Sequence, residues 1–150
     1  DLEAQWQALE QLHAEGKIRA LGVSNFGVKE LEKLREVAVA PIAVNQRKMN
    51  LRHDDNEVLS YCRRNGIQYQ ASSPLGEASR AVLEDPVVKL IAGFHKKTAA
   101  QVALRWLIQK GAAVTVQTEN GDHMRQDMDV FSWNLEDEDM KQLDMLPDEK

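Results

Sequence analysis

Four pairs of neutral polar residues stand where short apolar runs end: Ser24-Asn25, Asn45-Gln46, Ser72-Ser73 and Gln117-Thr118. Hydroxyls and amides both donate and accept hydrogen bonds. Gathered at one rim, they would hold an amide, a ribose or a phosphate. They would not move protons, because general acid–base chemistry needs a group titrating near the working pH. None of these four ends carries a His, Lys, Tyr, Asp or Glu. Just beyond the last pair, a short helix capped by Asp122 is expected, and its unpartnered N–H groups would suit an anion. His123 and Arg125 add positive charge there, whereas Glu119, Asp122 and Asp127 subtract it.

Strands and helices in strict alternation would position these groups. Leu2, Trp6, Leu9 and Leu12 share one helical face. Gly16 ends that helix, where a residue tolerating positive φ is wanted. Ile18 to Val23 is an apolar run suited to a buried parallel strand. Val28, Leu31, Leu34 and Val37 return to helical spacing. A second strand is expected over Pro41–Gln46, then a helix carrying Val58, Leu59 and Cys62, and a third strand over Ile67–Ser73. A helix from Ala81 to His95 should break near Asp85-Pro86. Thr98 and Gln101 form a capping-box pattern before another helix. Ala112–Thr118 reads as the fourth strand, and a last helix runs from about Glu136 to Leu146. Alternation of this kind implies a parallel sheet with right-handed crossovers. In barrel-type α/β proteins, ligands sit at the strands' carboxyl ends.

The remaining polar residues read as structural. Glu136 to Asp139 complement a helix dipole. His13, His53 and His95 have no carboxylate or cysteine at metal-ligand spacing, so no metal is expected. Arg63-Arg64 and Lys96-Lys97 read as solvated faces, and Trp6, Trp106 and Trp133 as packing residues. Cys62 is the only cysteine and reads as a packed thiol.

The chain of 150 residues, with 29% charged and 43% hydrophobic residues, has the composition of one globular domain. Its formal net charge of −5 argues against nucleic acid as a partner. No apolar run approaches the roughly 20 residues that span a bilayer, so no membrane partner is expected. Without a secretory pattern, and with one thiol, a cytoplasmic home is expected. Beginning at Asp1 inside a helical pattern, the chain reads as a processed or excised segment.

The run Gly16-Lys17-Ile18-Arg19-Ala20-Leu21-Gly22-Val23-Ser24-Asn25-Phe26 resembles a signature of the aldo-keto reductases. So do Val44-Asn45-Gln46, Tyr61-Cys62-Arg63 with Gly66-Ile67, and Ser73-Pro74-Leu75-Gly76. The stretch from Thr98 to Trp106, Asp129-Val130-Phe131 and Asp137-Glu138-Asp139-Met140 follow in family order. The chain is similar to the carboxyl-terminal half of such an enzyme. The resemblance implies a TIM-barrel-type α/β fold, here a half barrel of four parallel strands with flanking helices, spanning residues 1–150.

It implies carbonyl reduction with NADP(H), and places Ser24, Asn25 and Gln46 on the nicotinamide carboxamide. Ser73 and Leu75 would follow the pyrophosphate loop. Ser72 stands where the family has an aromatic that stacks on the nicotinamide. Gln117 and Thr118 replace the Lys-Ser after the last strand, and His123 replaces the arginine that grips the 2′-phosphate. Gln126 and Asp127 fall at the adenine side. With that lysine and arginine replaced, NAD(H) is admitted too.

The family's catalytic Asp, Tyr, Lys and His have no counterpart here, so no catalytic residue is assigned. The isolated chain is expected to be inactive, and a carbonyl substrate would require the missing half. A half barrel exposes strand edges, so self-association or a companion chain is expected. The alternative is a catalytically silent half barrel that binds a nucleotide or a protein partner. An unrelated open-sheet enzyme would need Gly-x-Gly-x-x-Gly or Gly-x-Ser-x-Gly, and neither occurs.

Overall fold

Among the described residues, helix and strand alternate as far as the third strand, after which three helices precede the fourth and two follow it. The computed structural model describes residues 2–76 and 80–148. They fall into two compact units, Asp1–Arg47 with Asn56–Gln70, and Lys48–Asp55 with Ala71–Lys150. The first contains α1 (Leu2–Ala14), β1 (Leu21–Ser24), α2 (Val28–Val37), most of β2 (Ile42–Lys48), α3 (Asn56–Arg64) and the start of β3 (Gln68–Ser72). The second contains the end of β3, α4 (Arg80–Leu83), α5 (Pro86–His95), α6 (Ala99–Gln109), β4 (Ala113–Val114), α7 (Gly121–Met128) and α8 (Asp137–Asp144). The strands are parallel and ordered β1-β2-β3-β4.

In the first unit, Leu31 and Leu34 of α2 and Val58, Leu59 and Cys62 of α3 are buried. Gly16 has φ 72°, the left-handed turn expected after α1. The first strand starts later than the apolar run suggests. Lys17 and Ile18 donate their N–H groups back to Leu12 O at 3.0 and 3.4 Å, so they finish the helix instead. Glu10 ties α1 to the segment before β2. Its Oε1 accepts from Trp6 Nε1 at 2.8 Å, Val39 N at 2.7 Å and Ala40 N at 2.8 Å. The Ala40 bond, then those from Val39 and Trp6, outweigh burial and hold this carboxyl below its ordinary value. Trp6 is the buried partner in this arrangement, as a packing residue should be.

In the second unit, Val102, Leu104 and Leu107 of α6 are fully buried, as is Trp106. Trp106 Nε1 donates to Asp144 Oδ1 of α8 at 2.8 Å. Asp85 caps α5 by accepting from Val87 N at 2.8 Å and Val88 N at 3.3 Å, with Pro86 at the first helical position. Asp85 is 6% exposed and pairs with Arg52. The fourth strand is shorter than the apolar run 112–118. Past Val114, Thr115 N still donates to Ala71 O at 3.1 Å. Val116 and Gln117 then leave the ladder as exposed loop. Gln117 and Thr118 therefore lie beyond the strand rather than at its last residues.

Candidate functional site

A cavity of about 1030 Å³ opens in the second unit. Its walls come from three segments, with Leu83 of α4 beside them. The loop leaving β3 supplies Ser73, Pro74, Leu75 and Gly76. Ser73 O accepts from Gly76 N at 2.9 Å and closes a tight turn, with φ 48° at Ser73 and 80° at Gly76. That conformation suits glycine at the last position and is uncommon for serine at the first. Asn50, 1% exposed, fixes the turn from behind by donating from Nδ2 to Ser73 O at 3.1 Å.

The second wall is the first turn of α6, with Thr98, Ala99 and Ala100. Thr98 Oγ1 accepts from Gln101 N at 3.1 Å, and Gln101 Oε1 accepts from Thr98 N at 3.0 Å. This is the expected capping box, and it sets where the helix starts. That cap satisfies the Gln101 N–H, and the Ala99 and Ala100 N–H groups at this end can receive an anion's oxygens.

The third wall is the loop after β4 together with α7: Thr115, Val116, Gln117, Thr118, then His123, Gln126 and Asp127. Asn120, not Asp122, caps α7, accepting from Asp122 N at 2.8 Å and His123 N at 3.4 Å. Asp122 instead pairs with Arg125 at 2.6 Å on the exposed side. His123 and Asp127 are four residues apart and so share a helix face. Burial pushes the Asp127 carboxyl above its ordinary value, and the charge of His123 pulls the other way.

A polar stripe on α6 holds this wall in place. Gln101 Nε2 donates to Gln126 O at 3.0 Å, Arg105 Nη1 donates to Val130 O at 2.9 Å, and Gln109 Nε2 donates to Leu135 O at 3.1 Å. Positions 101, 105 and 109 are spaced by four and line one face. Lys97 also turns inward. It pairs with Asp129 at 2.6 Å and lies 5.6 Å from the ring centre of Trp133, so it is not the solvated lysine expected from sequence. Lys97, then Ser132, hold the Asp129 carboxyl below its ordinary value. His95 meets Asp139 at 2.7 Å, a partner 44 residues away that local spacing could not reveal.

Seven of the residues singled out from sequence line the cavity: Ser73, Leu75, Gln117, Thr118, His123, Gln126 and Asp127. Ser72 ends β3 half-buried and is not on its wall. Thr98, Ala99 and Ala100 were not singled out as site residues. The capping box was their signal, because it marks a helix start and hence exposed N–H groups.

Ser24, Asn25 and Gln46 lie in the first unit. Ser24 and Gln46 are register partners, and Asn25 N donates to Gln46 O at 2.8 Å. Asn25 has φ 63°, and Gln46 Nε2 donates to Gln70 Oε1 at 2.8 Å. Asn45 is corrected from the sequence reading. It is fully buried within β2, which continues to Lys48, and so it is not a rim group. Successive strand residues face opposite ways, so Asn45 turns from Gln46. Its Nδ2 donates to Phe26 O at 2.8 Å and braces the loop after β1.

Among the described residues, no group of three or more His, Cys, Asp or Glu side chains could hold a metal ion. No helix among them is long and apolar enough to cross a membrane.

A model of the Aldo/keto reductase family matches residues 1–148. The chain belongs to this family. Protein REDOX 2 of Catharanthus roseus is 38% identical over 152 residues, covering 98% of this chain and 47% of that relative. Deoxymugineic acid synthase 1-B of Triticum aestivum is 36% identical over 155 residues, covering 100% of this chain and 49% of the relative. An aldo-keto reductase from a Medee basin deep-sea metagenome library superposes with a TM-score of 0.91 at 36% identity, over 95% of this chain and 53% of that one. The aldose reductase of Schistosoma japonicum gives 0.92 at 28% identity, over 99% and 48%. The chain thus spans about half the length of the curated relatives it matches.

Proposed function

We propose that this chain is the cofactor-side, carboxyl-terminal half of an aldo/keto reductase barrel, and that its second-unit cavity receives the adenosine diphosphate part of a nicotinamide dinucleotide. The observation that carries this reading is the convergence of a tight turn after β3, the start of α6 and the face of α7 on one cavity of about 1030 Å³. That volume is at the upper end of small-molecule sites. The Leu75 N–H of the Ser73–Gly76 turn and the Ala99 and Ala100 N–H groups of α6 suit a diphosphate, while Gln126 and Asp127 suit an adenine and ribose.

The family resemblance assigns Ser24, Asn25 and Gln46 to a carboxamide, and implies NADP(H), with NAD(H) possible, as the cofactor. When bound, the cofactor supplies hydride to a carbonyl carbon. This chain's residues bind and orient it, and the proton comes from residues that this chain does not carry.

Titration calorimetry with ADP-ribose, NADH and NADPH tests the proposal. Binding of ADP-ribose with at least micromolar-to-millimolar affinity is expected, and loss of that binding in Gly76→Val should follow because the turn cannot form unstrained. Absence of binding by all three ligands would leave the silent, partner-binding half barrel as the better reading. Carbonyl-dependent NAD(P)H oxidation should stay at the buffer rate with the pure chain. A rate clearly above buffer would refute the assignment of the proton donor elsewhere.

A further inference from the structure

The charges on the cavity's described walls bear on which nucleotide it takes. Among the described residues on its walls there is no lysine and no arginine. The wall carries one carboxylate, Asp127, and one imidazole, His123, on the same face of α7. Two cations flanking the described walls are committed elsewhere. Lys97, beside Thr98, pairs with Asp129, and Arg125, within α7, pairs with Asp122. Beside Asp127, any positive charge on His123 is offset before a ligand arrives.

Resting on the dinucleotide reading above, we propose that this cavity selects a nucleoside diphosphate with free 2′- and 3′-hydroxyls, the NAD(H) class, over the 2′-phosphorylated NADP(H) class. A diphosphate can be held without side-chain cations, because backbone N–H groups at a helix start and in a turn serve it. A phosphate monoester on the ribose is different. It adds about −1.5 to −2 charge at neutral pH and three strong acceptors. It would need donors that are charged, and it would stand near a carboxylate that repels it. A ribose diol does the reverse: its hydroxyls donate to a carboxylate, the same chemistry by which an acidic residue marks NAD in doubly wound folds. The raised affinity of Asp127 for its proton accords with a carboxyl set back in the wall and awaiting donors.

The test is calorimetric titration of the full chain with NAD⁺ and NADP⁺, repeated on His123→Arg and Asp127→Asn. NAD⁺ should bind at least about tenfold tighter than NADP⁺. His123→Arg should tighten NADP⁺ by about tenfold and change NAD⁺ less than about threefold. Asp127→Asn should weaken NAD⁺ and tighten NADP⁺. His123 is exposed, so the arginine variant should fold, and far-ultraviolet circular dichroism verifies it. Equal or tighter binding of NADP⁺ by the unmodified chain would overturn the selectivity while leaving the dinucleotide site intact. Failure of both nucleotides to bind at millimolar concentration would overturn the site itself, and the selectivity with it.

Discussion

Gln101→Leu should destabilise the second unit and loosen the cavity wall together. Gln101 is 4% exposed, and its amide makes two firm bonds in opposite directions: Oε1 accepts from Thr98 N at 3.0 Å, and Nε2 donates to Gln126 O at 3.0 Å. Longer contacts at 3.4 Å reach Asp129 O and Oδ2. Leucine nearly conserves volume and helix propensity, so packing changes little. The Thr98 N–H is left without its partner, whereas the Gln126 carbonyl loses one donor and keeps Asp129 N at 3.0 Å. The orphaned N–H costs about 1–3 kcal/mol, at the low end because Thr98 is half-buried, and the lost bond to Gln126 O about 0.5–1.5 kcal/mol, giving about 2 kcal/mol in total. With a urea slope of about 1–3 kcal/mol per molar, the unfolding midpoint should fall by about 1 M.

Circular dichroism against urea reads this directly. Gln101→Glu separates the two bonds. It retains the acceptor for Thr98 but turns a carboxylate toward the Gln126 carbonyl and Asp129. That variant should be destabilised at pH 7 and recover on acidification, when its carboxyl can again donate. A midpoint for Gln101→Leu within about 0.2 M of the parent chain would refute the argument that one amide holds both the start of α6 and the end of α7.

Two further predictions concern the first unit. Gly22→Ala should cost about 1–3 kcal/mol, because a Cβ there would sit 2.9 Å from Val44 O and 3.2 Å from Val44 Cβ. Gly27→Ala should cost less, since its 2.9 Å contact is only the movable Glu30 Oε2, and urea midpoints of the two variants decide the order. Glu10, held below its ordinary pKa, adds stability that is complete above the ordinary glutamate range and is lost as pH falls through the lowered folded value. Gln at position 10 keeps an acceptor but no charge, so the gap between parent and Glu10→Gln should shrink from pH 7 to pH 3. A constant gap would show that the charge does not matter.

Local sequence determined much of this protein. The apolar periods required alternation of helix and strand, Asp85-Pro86 required a break with a cap, and Thr98 with Gln101 required a helix start. Such features depend on residues within a turn of each other, whose backbone needs are met on the spot. Strand limits were less legible. Ile18 is apolar, yet its N–H completes a helix end, and Val116 is apolar, yet it has left the ladder. Hydrogen-bond partners decide such ends, and hydrophobicity does not report them.

Only the tertiary structure decided which polar groups meet. It turned Asn45 into the interior, gathered Trp6, Val39 and Ala40 on one Glu10 oxygen, and set His95 against Asp139. It also drew Lys97 and Arg125 to Asp129 and Asp122, leaving a cavity whose described wall has no lysine or arginine. Charge composition is a property of the chain, but the field in a cavity is set by where packing sends each side chain.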